Sequence, residues 1–95
     1  MRDYEFTFII HPSVEDEGIA DVTEKVSQFI TNGGGVVNSV DHWGRRRLAY
    51  PIQKQTEGYY VLMRVQLDPQ AIKELERNLK LAEEVIRYLL VRVED

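Results

Sequence analysis

The sequence has no cysteine, which excludes a disulfide framework, thiolate metal ligation and a cysteine nucleophile, and fits a reducing cytosol. It has no run of about 18 apolar residues, so no segment is expected to span a membrane. The opening Met1-Arg2-Asp3-Tyr4-Glu5 places charges where a secretory leader needs an apolar stretch. Its two histidines, His11 and His42, lie in different segments without clustered carboxylates. Neither a metal site nor a cofactor is therefore expected. The glycine run Gly33-Gly34-Gly35 follows a predicted helix, whereas phosphate-cradling loops follow a strand and open a helix. That order reads as a helix stop, and no catalytic residue is expected.

What is present is an ordinary globular balance: 95 residues, 43% hydrophobic and 29% charged. This predicts one domain over residues 1–95, with a two-layer core but no enclosed cavity, so that a ligand would bind on a face. The net charge is -4, unevenly placed. Residues 1–24 carry -6, residues 25–43 are balanced, residues 44–54 carry four bases and no acid, and residues 55–95 carry -2. A concentrated basic segment on an acidic chain suits a local contact with a polyanion better than general nucleic-acid affinity.

Periodicity predicts the elements. Tyr4, Phe6, Phe8 and Ile10 alternate with polar residues as in a half-buried strand ended by His11-Pro12. Ser13 is the candidate N-cap of a first helix, with Glu15, Asp16 and Glu17 at its positive end and Ile19, Val22, Val26, Phe29 and Ile30 along one face. From Val36 to Ile52 the chain reads as a long edge strand, because Pro51 has no N–H to give a ladder and the arginines oppose edge-to-edge pairing. Gln53 to Gly58 is the expected turn. Tyr59 to Leu67 is the expected central strand, with Tyr59, Val61, Met63, Val65 and Leu67 on one face. Asp68-Pro69 opens a second helix, with Ile72, Leu75, Leu79 and Ala82 inward, and Val85 to Val93 makes a last strand before Glu94-Asp95. The order β-α-β-β-α-β predicts an α+β, ferredoxin-like domain, a four-stranded antiparallel sheet with both helices on one face.

The other sheet face is then open. Tyr60, Leu62 and Arg64 are expected to point out from it as protein-contact residues, with Trp43 and Tyr50 on the edge strand beside them. Alternation sets Arg45 and Arg47 on one side and Arg46 on the other, unless Gly44 marks a bulge. These arginines and Lys54 are the candidate phosphate contacts, since a guanidinium can bind phosphate through two bonds.

The segment Gly44-Arg45-Arg46-Arg47-Leu48-Ala49-Tyr50-Pro51-Ile52, followed by Lys54, Gly58 and Tyr59, resembles the bacterial small-subunit ribosomal protein S-six family. The resemblance extends from Met1-Arg2-Asp3-Tyr4-Glu5 to Arg87-Tyr88-Leu89-Leu90-Val91. It implies a non-enzymatic, cytoplasmic structural constituent of the small ribosomal subunit. That constituent would bind central-domain ribosomal RNA together with ribosomal protein S-eighteen as heterodimer partner, and no small-molecule substrate. It also adds Arg2, Tyr4 and Arg87 as positions near the family's RNA-facing edge. Two departures stand out: Asp3 replaces a second basic residue found in some relatives, and the sequence stops at Asp95 where many carry a partner-touching tail.

Two other functions suit the same fold. A small-molecule-binding regulatory module would dimerise by edges or sheet faces around an effector. An acylphosphatase-like enzyme would need an arginine in a phosphate-presenting loop with a nearby asparagine, whereas Arg45 to Arg47 lie on a predicted strand.

Overall fold

A computed structural model describes residues 1–93. The expected Glu94-Asp95 terminus lies outside the described residues. Seven elements follow in order: β1 (Arg2–Ile10), α1 (Asp16–Asn32), β2 (Val36–Ile52), β3 (Gln55–Leu67), a single 3₁₀ turn (Pro69–Ala71), α2 (Ile72–Leu81) and β4 (Val85–Arg92). The sheet order is β2-β3-β1-β4, with every neighbouring pair antiparallel. This is the ferredoxin-like arrangement expected, with β2 and β4 at the edges.

The period of two in β1 and β3 builds the core. Tyr4, Phe6 and Phe8 stand opposite Val65, Met63 and Val61, and all six join one buried cluster with Ile19, Val26 and Ile30 of α1 and Leu75 and Leu79 of α2. Both helices therefore cover the same face. Phe6 and Phe8 are fully buried with ring centroids 5.3 Å apart, and side chains of this kind contribute about 1.5–3 kcal/mol each on burial.

The helix starts differ. Asp68 caps the second as expected: its Oδ1 accepts from the Gln70 N–H at 3.0 Å and Pro69 occupies the first position, although the chain makes a 3₁₀ turn before α2 begins at Ile72. Ser13, by contrast, does not cap α1. The cap position is Glu15, which makes no side-chain capping bond. Ser13 is drawn into an earlier turn, where its N–H donates to Nδ1 of His11 at 3.0 Å and the Val14 N–H donates to the His11 carbonyl at 3.1 Å. At the other end α1 stops as predicted, with Gly33 as C-cap and Gly34 in the left-handed region at φ 84°.

The turn between β2 and β3 is shorter than Gln53 to Gly58. Ile52 pairs with Gln55, leaving Gln53 and Lys54 as a two-residue hairpin loop with φ of 50° and 66°. Polar residues 55–57 extend β3 because an edge hairpin can be solvated on both faces.

Candidate RNA and protein interface

The edge strand β2 carries three register shifts against β3, the kind of irregularity that can re-aim a side chain. In the second, between His42 and Gly44, Gly44 takes φ 87° and Trp43 is the extra residue. Trp43 lies on the open face, with its ring 6.5 Å from that of Tyr60 and nearly parallel to it at 10°. The Arg46 guanidinium sits 5.4 Å from the Trp43 ring centroid, a cation–π arrangement. Arg45 faces the other way. It donates to the carbonyls of Pro12 (3.2 Å) and Val14 (2.8 Å) and to Asp16 Oδ1 (3.2 Å). Gly44 thus does mark a bulge, and the three arginines form no single patch: Arg45 ties β2 to the loop before α1, while Arg46 covers Trp43. Arg47, opposite Glu57, is exposed, as is Lys54 at the hairpin tip. Among the described residues neither makes an ion pair.

The third shift is the largest. Between the pairs Arg47–Glu57 and Ile52–Gln55, β2 spends Leu48 to Pro51 against Thr56 alone. The slack carries this segment over the open face as a strap. Leu48 is buried there with Ile9 of β1 and Ile86 of β4, and Ile52 and Tyr60 pack around them. A bulge in β4 completes the arrangement: Ile9 pairs with Arg87 but Ile10 with Val85, so Ile86 is extra. Ile86 and Arg87 then both serve the open face. The Arg87 guanidinium lies 5.5 Å from the centroid of the Tyr50 ring and donates through Nη1 to its hydroxyl. The two edge strands therefore touch across the sheet they flank.

One orientation expectation holds and one exposure expectation fails. Tyr60, Leu62 and Arg64 do alternate with the core-facing residues of β3, yet Leu62 is only 8% exposed. The strand is paired on both sides, with Thr7 and Asp41 directly opposite Leu62, so its neighbours on the same face cover it. Arg64 is exposed and bridges to Asp41 at 3.5 Å. Tyr4 is 6% exposed and belongs to the core, whereas Arg2 is exposed at the start of β1. The structure thus gathers Trp43, Tyr60 and Arg46 in one group and Tyr50 and Arg87 in another. The resemblance implies an RNA-facing position for Arg87, and the edge-strand pattern a protein contact for Tyr50, yet the two side chains meet. The Ile9–Leu48–Ile86 cluster has one local signal in the sequence, Ile9 beside Ile10, apolar on both faces of β1.

Two groups titrate away from their ordinary values. Glu84 is held below the usual carboxylate range by hydrogen bonding to its own backbone, with burial opposing and Lys25 at 3.4 Å assisting. Tyr88 is pushed up by burial and by its hydroxyl donating to Glu76 Oε2 at 3.1 Å. Among the described residues no three His, Asp or Glu side chains are grouped to hold a metal, and no helix is long and apolar enough to cross a membrane. The surface offers guanidinium groups, aromatic faces and apolar side chains.

A family model described as ribosomal protein S6 matches residues 3–92. The chain belongs to the ribosomal protein S6 family. It is 48% identical over 95 residues to small ribosomal subunit protein bS6 of Moorella thermoacetica, covering 100% of this chain and 97% of that one. It is likewise 48% identical over 94 residues to bS6 of Clostridium acetobutylicum, with 99% of each covered. The crystal structure of 30S ribosomal protein S6 from Thermotoga maritima superposes with a TM-score of 0.90 at 34% identity, covering 97% of this chain and 87% of that one. The C-terminal domain of the MgtC protein from Mycobacterium tuberculosis shares the fold alone, with a TM-score of 0.56 at 14% identity. Membership in the S6 family makes this chain a structural component of the small ribosomal subunit, and so of the cytoplasmic translation machinery, in a class that is not enzymatic.

Proposed function

We propose that this S6 protein binds the central domain of small-subunit ribosomal RNA as one half of a heterodimer with ribosomal protein S-eighteen. The observation that carries the RNA half is the placement of Arg47 and Lys54, exposed and in no ion pair among the described residues, on one hairpin of a chain whose net charge is -4. Arg46 is exposed on the same strand, and Arg2 adds a cation at the start of β1. Phosphate contacts of this kind fix position and supply most of the affinity. Arg45 and Tyr4 support them from within, since the first is engaged by Pro12, Val14 and Asp16 and the second is in the core.

The partner half rests on the open face. Trp43 stacked on Tyr60, with Tyr50 55% exposed and Arg64 at its border, is an aromatic and arginine surface of the type that anchors protein interfaces. Leu62 supports this surface from beneath. The test is filter binding of a central-domain RNA fragment with and without S-eighteen. Strong binding is expected only with both proteins, and RNA retention that ignores S-eighteen sinks the heterodimer reading.

A further inference from the structure

The register of β2 has few anchors. Of its 17 residues only Leu48 is buried, and a strand with so little buried on either face has a weakly specified register. The stretch from Gly44 to Arg47 is looser still, because a register shift lies on each side of it. Sliding this stretch by one residue would move the extra residue from the bulge at Trp43 into the slack after Arg47, with both ends of β2 left in place. Gly44 would then stand opposite Tyr59 and Arg45 opposite Gly58, in place of the observed pairs Gly44–Tyr60, Arg45–Tyr59 and Arg46–Gly58. Every arginine of the run would change face.

One side chain opposes that slide. Arg45 stands opposite Tyr59, which packs on the core from the helix side, and there its guanidinium bonds Pro12, Val14 and Asp16. These acceptors lie in the loop before α1 and at the helix start, so the bonds tie the strand to the other layer rather than to its own sheet. Gly44 supplies the backbone half. A Cβ placed there would meet nothing within 4 Å, so the glycine serves the bulge's φ of 87° and not a close approach.

We infer that Arg45 is a positioning residue for RNA binding, whose three bonds hold β2 in the register that sets Arg46 on the open face and Arg47 on the helix side. The inference rests on the reading that the cations of this strand meet RNA phosphates. The Arg45 guanidinium is already engaged within the chain, so it acts by raising the fraction of free protein whose arginines are aimed to bind. When only a fraction f is competent, the apparent Kd rises by 1/f while the contacts in the complex stay the same. Loss of Arg45 therefore lowers affinity equally at every salt concentration, whereas loss of a phosphate contact also changes the slope.

The test is filter binding of a central-domain RNA fragment at saturating S-eighteen across a salt series. Cross-strand NOEs of the free protein read the register: residue 44 meets Tyr60 in the observed register and Tyr59 in the slid one. All variants are compared where urea melts show them folded. Arg45→Met is expected to weaken RNA binding about threefold or more at every salt concentration, with the slope unchanged and the Tyr59 NOE present. Arg45→Lys recovers part of both, since an ammonium can donate to some of the same oxygens. Gly44→Ala, which strains the bulge and leaves Arg45 intact, gives the same pattern as Arg45→Met. Val26→Ala, a truncation in the core beneath the helices, lowers stability but keeps the wild-type RNA affinity and register. Folded Arg45→Met with wild-type RNA affinity or without the Tyr59 NOE overturns the inference. So does a slope reduced by about 1, which would make Arg45 itself a phosphate ligand, and so does an equal affinity loss in Val26→Ala, which would trace the effect to stability. Wild-type protein that binds no RNA beside S-eighteen is a distinct failure: it removes the RNA reading itself, and the positioning role with it.

Discussion

The Arg87 guanidinium stands over the Tyr50 ring, 5.5 Å from its centroid, although the two residues come from strands at opposite edges of the sheet. Two irregularities make the meeting possible: the slack in β2 between Arg47 and Ile52, and the extra residue Ile86 in β4. Together they fold one end of the open face over a small apolar cluster, while the other end, around Arg64 and Asp41, stays flat and polar. A basic strand of the kind that discourages edge pairing thereby also builds a groove.

Gly58 is needed for that closure. A Cβ there would collide with Cγ2 of Ile9 and lie 3.3 Å from the Ile10 carbonyl oxygen. Because Ile9 is itself buried against Leu48 and Ile86, it has little room to yield. Gly58→Ala should therefore cost about 1–3 kcal/mol, the usual range for overpacking. Urea melts will show this, and a midpoint equal to wild type would mean that Ile9 repacks freely.

The hairpin tip carries strain that a different residue would relieve. Gln53 and Lys54 both hold positive φ without being glycine, a conformation that costs roughly 1–2 kcal/mol per residue with a Cβ. Lys54→Gly should raise stability by up to about 1 kcal/mol, part of the gain being offset by the freer unfolded chain. If Lys54 meets a phosphate, the same change should flatten the slope of log affinity against log salt by about 1. A stabilised protein with an unchanged slope would separate the turn from RNA contact.

The arginines should divide by role. Arg45→Met removes three hydrogen bonds to the loop before α1 and should lower stability by about 1–3 kcal/mol, with the slope unchanged. Arg47→Met should do the reverse, leaving the melt within about 0.5 kcal/mol of wild type and reducing the slope by about 1. Equal slopes in the two variants would refute this division.

Much of the fold was legible because it depends on periodicity: Tyr4, Phe6 and Phe8 against Val61, Met63 and Val65 define a sheet face by alternation alone. The failures share a physical cause, dependence on something across space. Ser13 has the chemistry of a cap, but the ring nitrogen of His11 reaches its N–H first. Leu62 points outward as parity demands, yet exposure depends on how far its neighbours on β1 and β2 cover it. The strap needed a count of unpaired residues between two strands, and no local pattern in Leu48-Ala49-Tyr50-Pro51 supplies that count. The same holds for Arg45, whose partners lie more than 28 residues away.

Stability should change at both extremes of pH, through groups whose titration directions have opposite signs. Glu84 has a folded-state pKa below its unfolded value, so its contribution is present above the ordinary carboxylate range and is lost as pH falls through the lowered pKa. Tyr88 has a folded-state pKa above its unfolded value. Its contribution is therefore complete below about pH 10, the ordinary tyrosine value, and is lost as pH rises through the raised pKa. Tyr88→Phe, which removes the hydrogen bond to Glu76, should cost about 0.5–1.5 kcal/mol at neutral pH. That deficit should shrink above about pH 10, because only the wild type must then either ionise a phenol beside a carboxylate or resist doing so. Glu84→Gln should show the mirror behaviour, with a small deficit at neutral pH that closes in acid. Denaturant melts of the three proteins across the pH range measure both limbs. A Tyr88→Phe deficit that stays constant through the alkaline limb would show that the phenol titrates alike in the folded and unfolded chains.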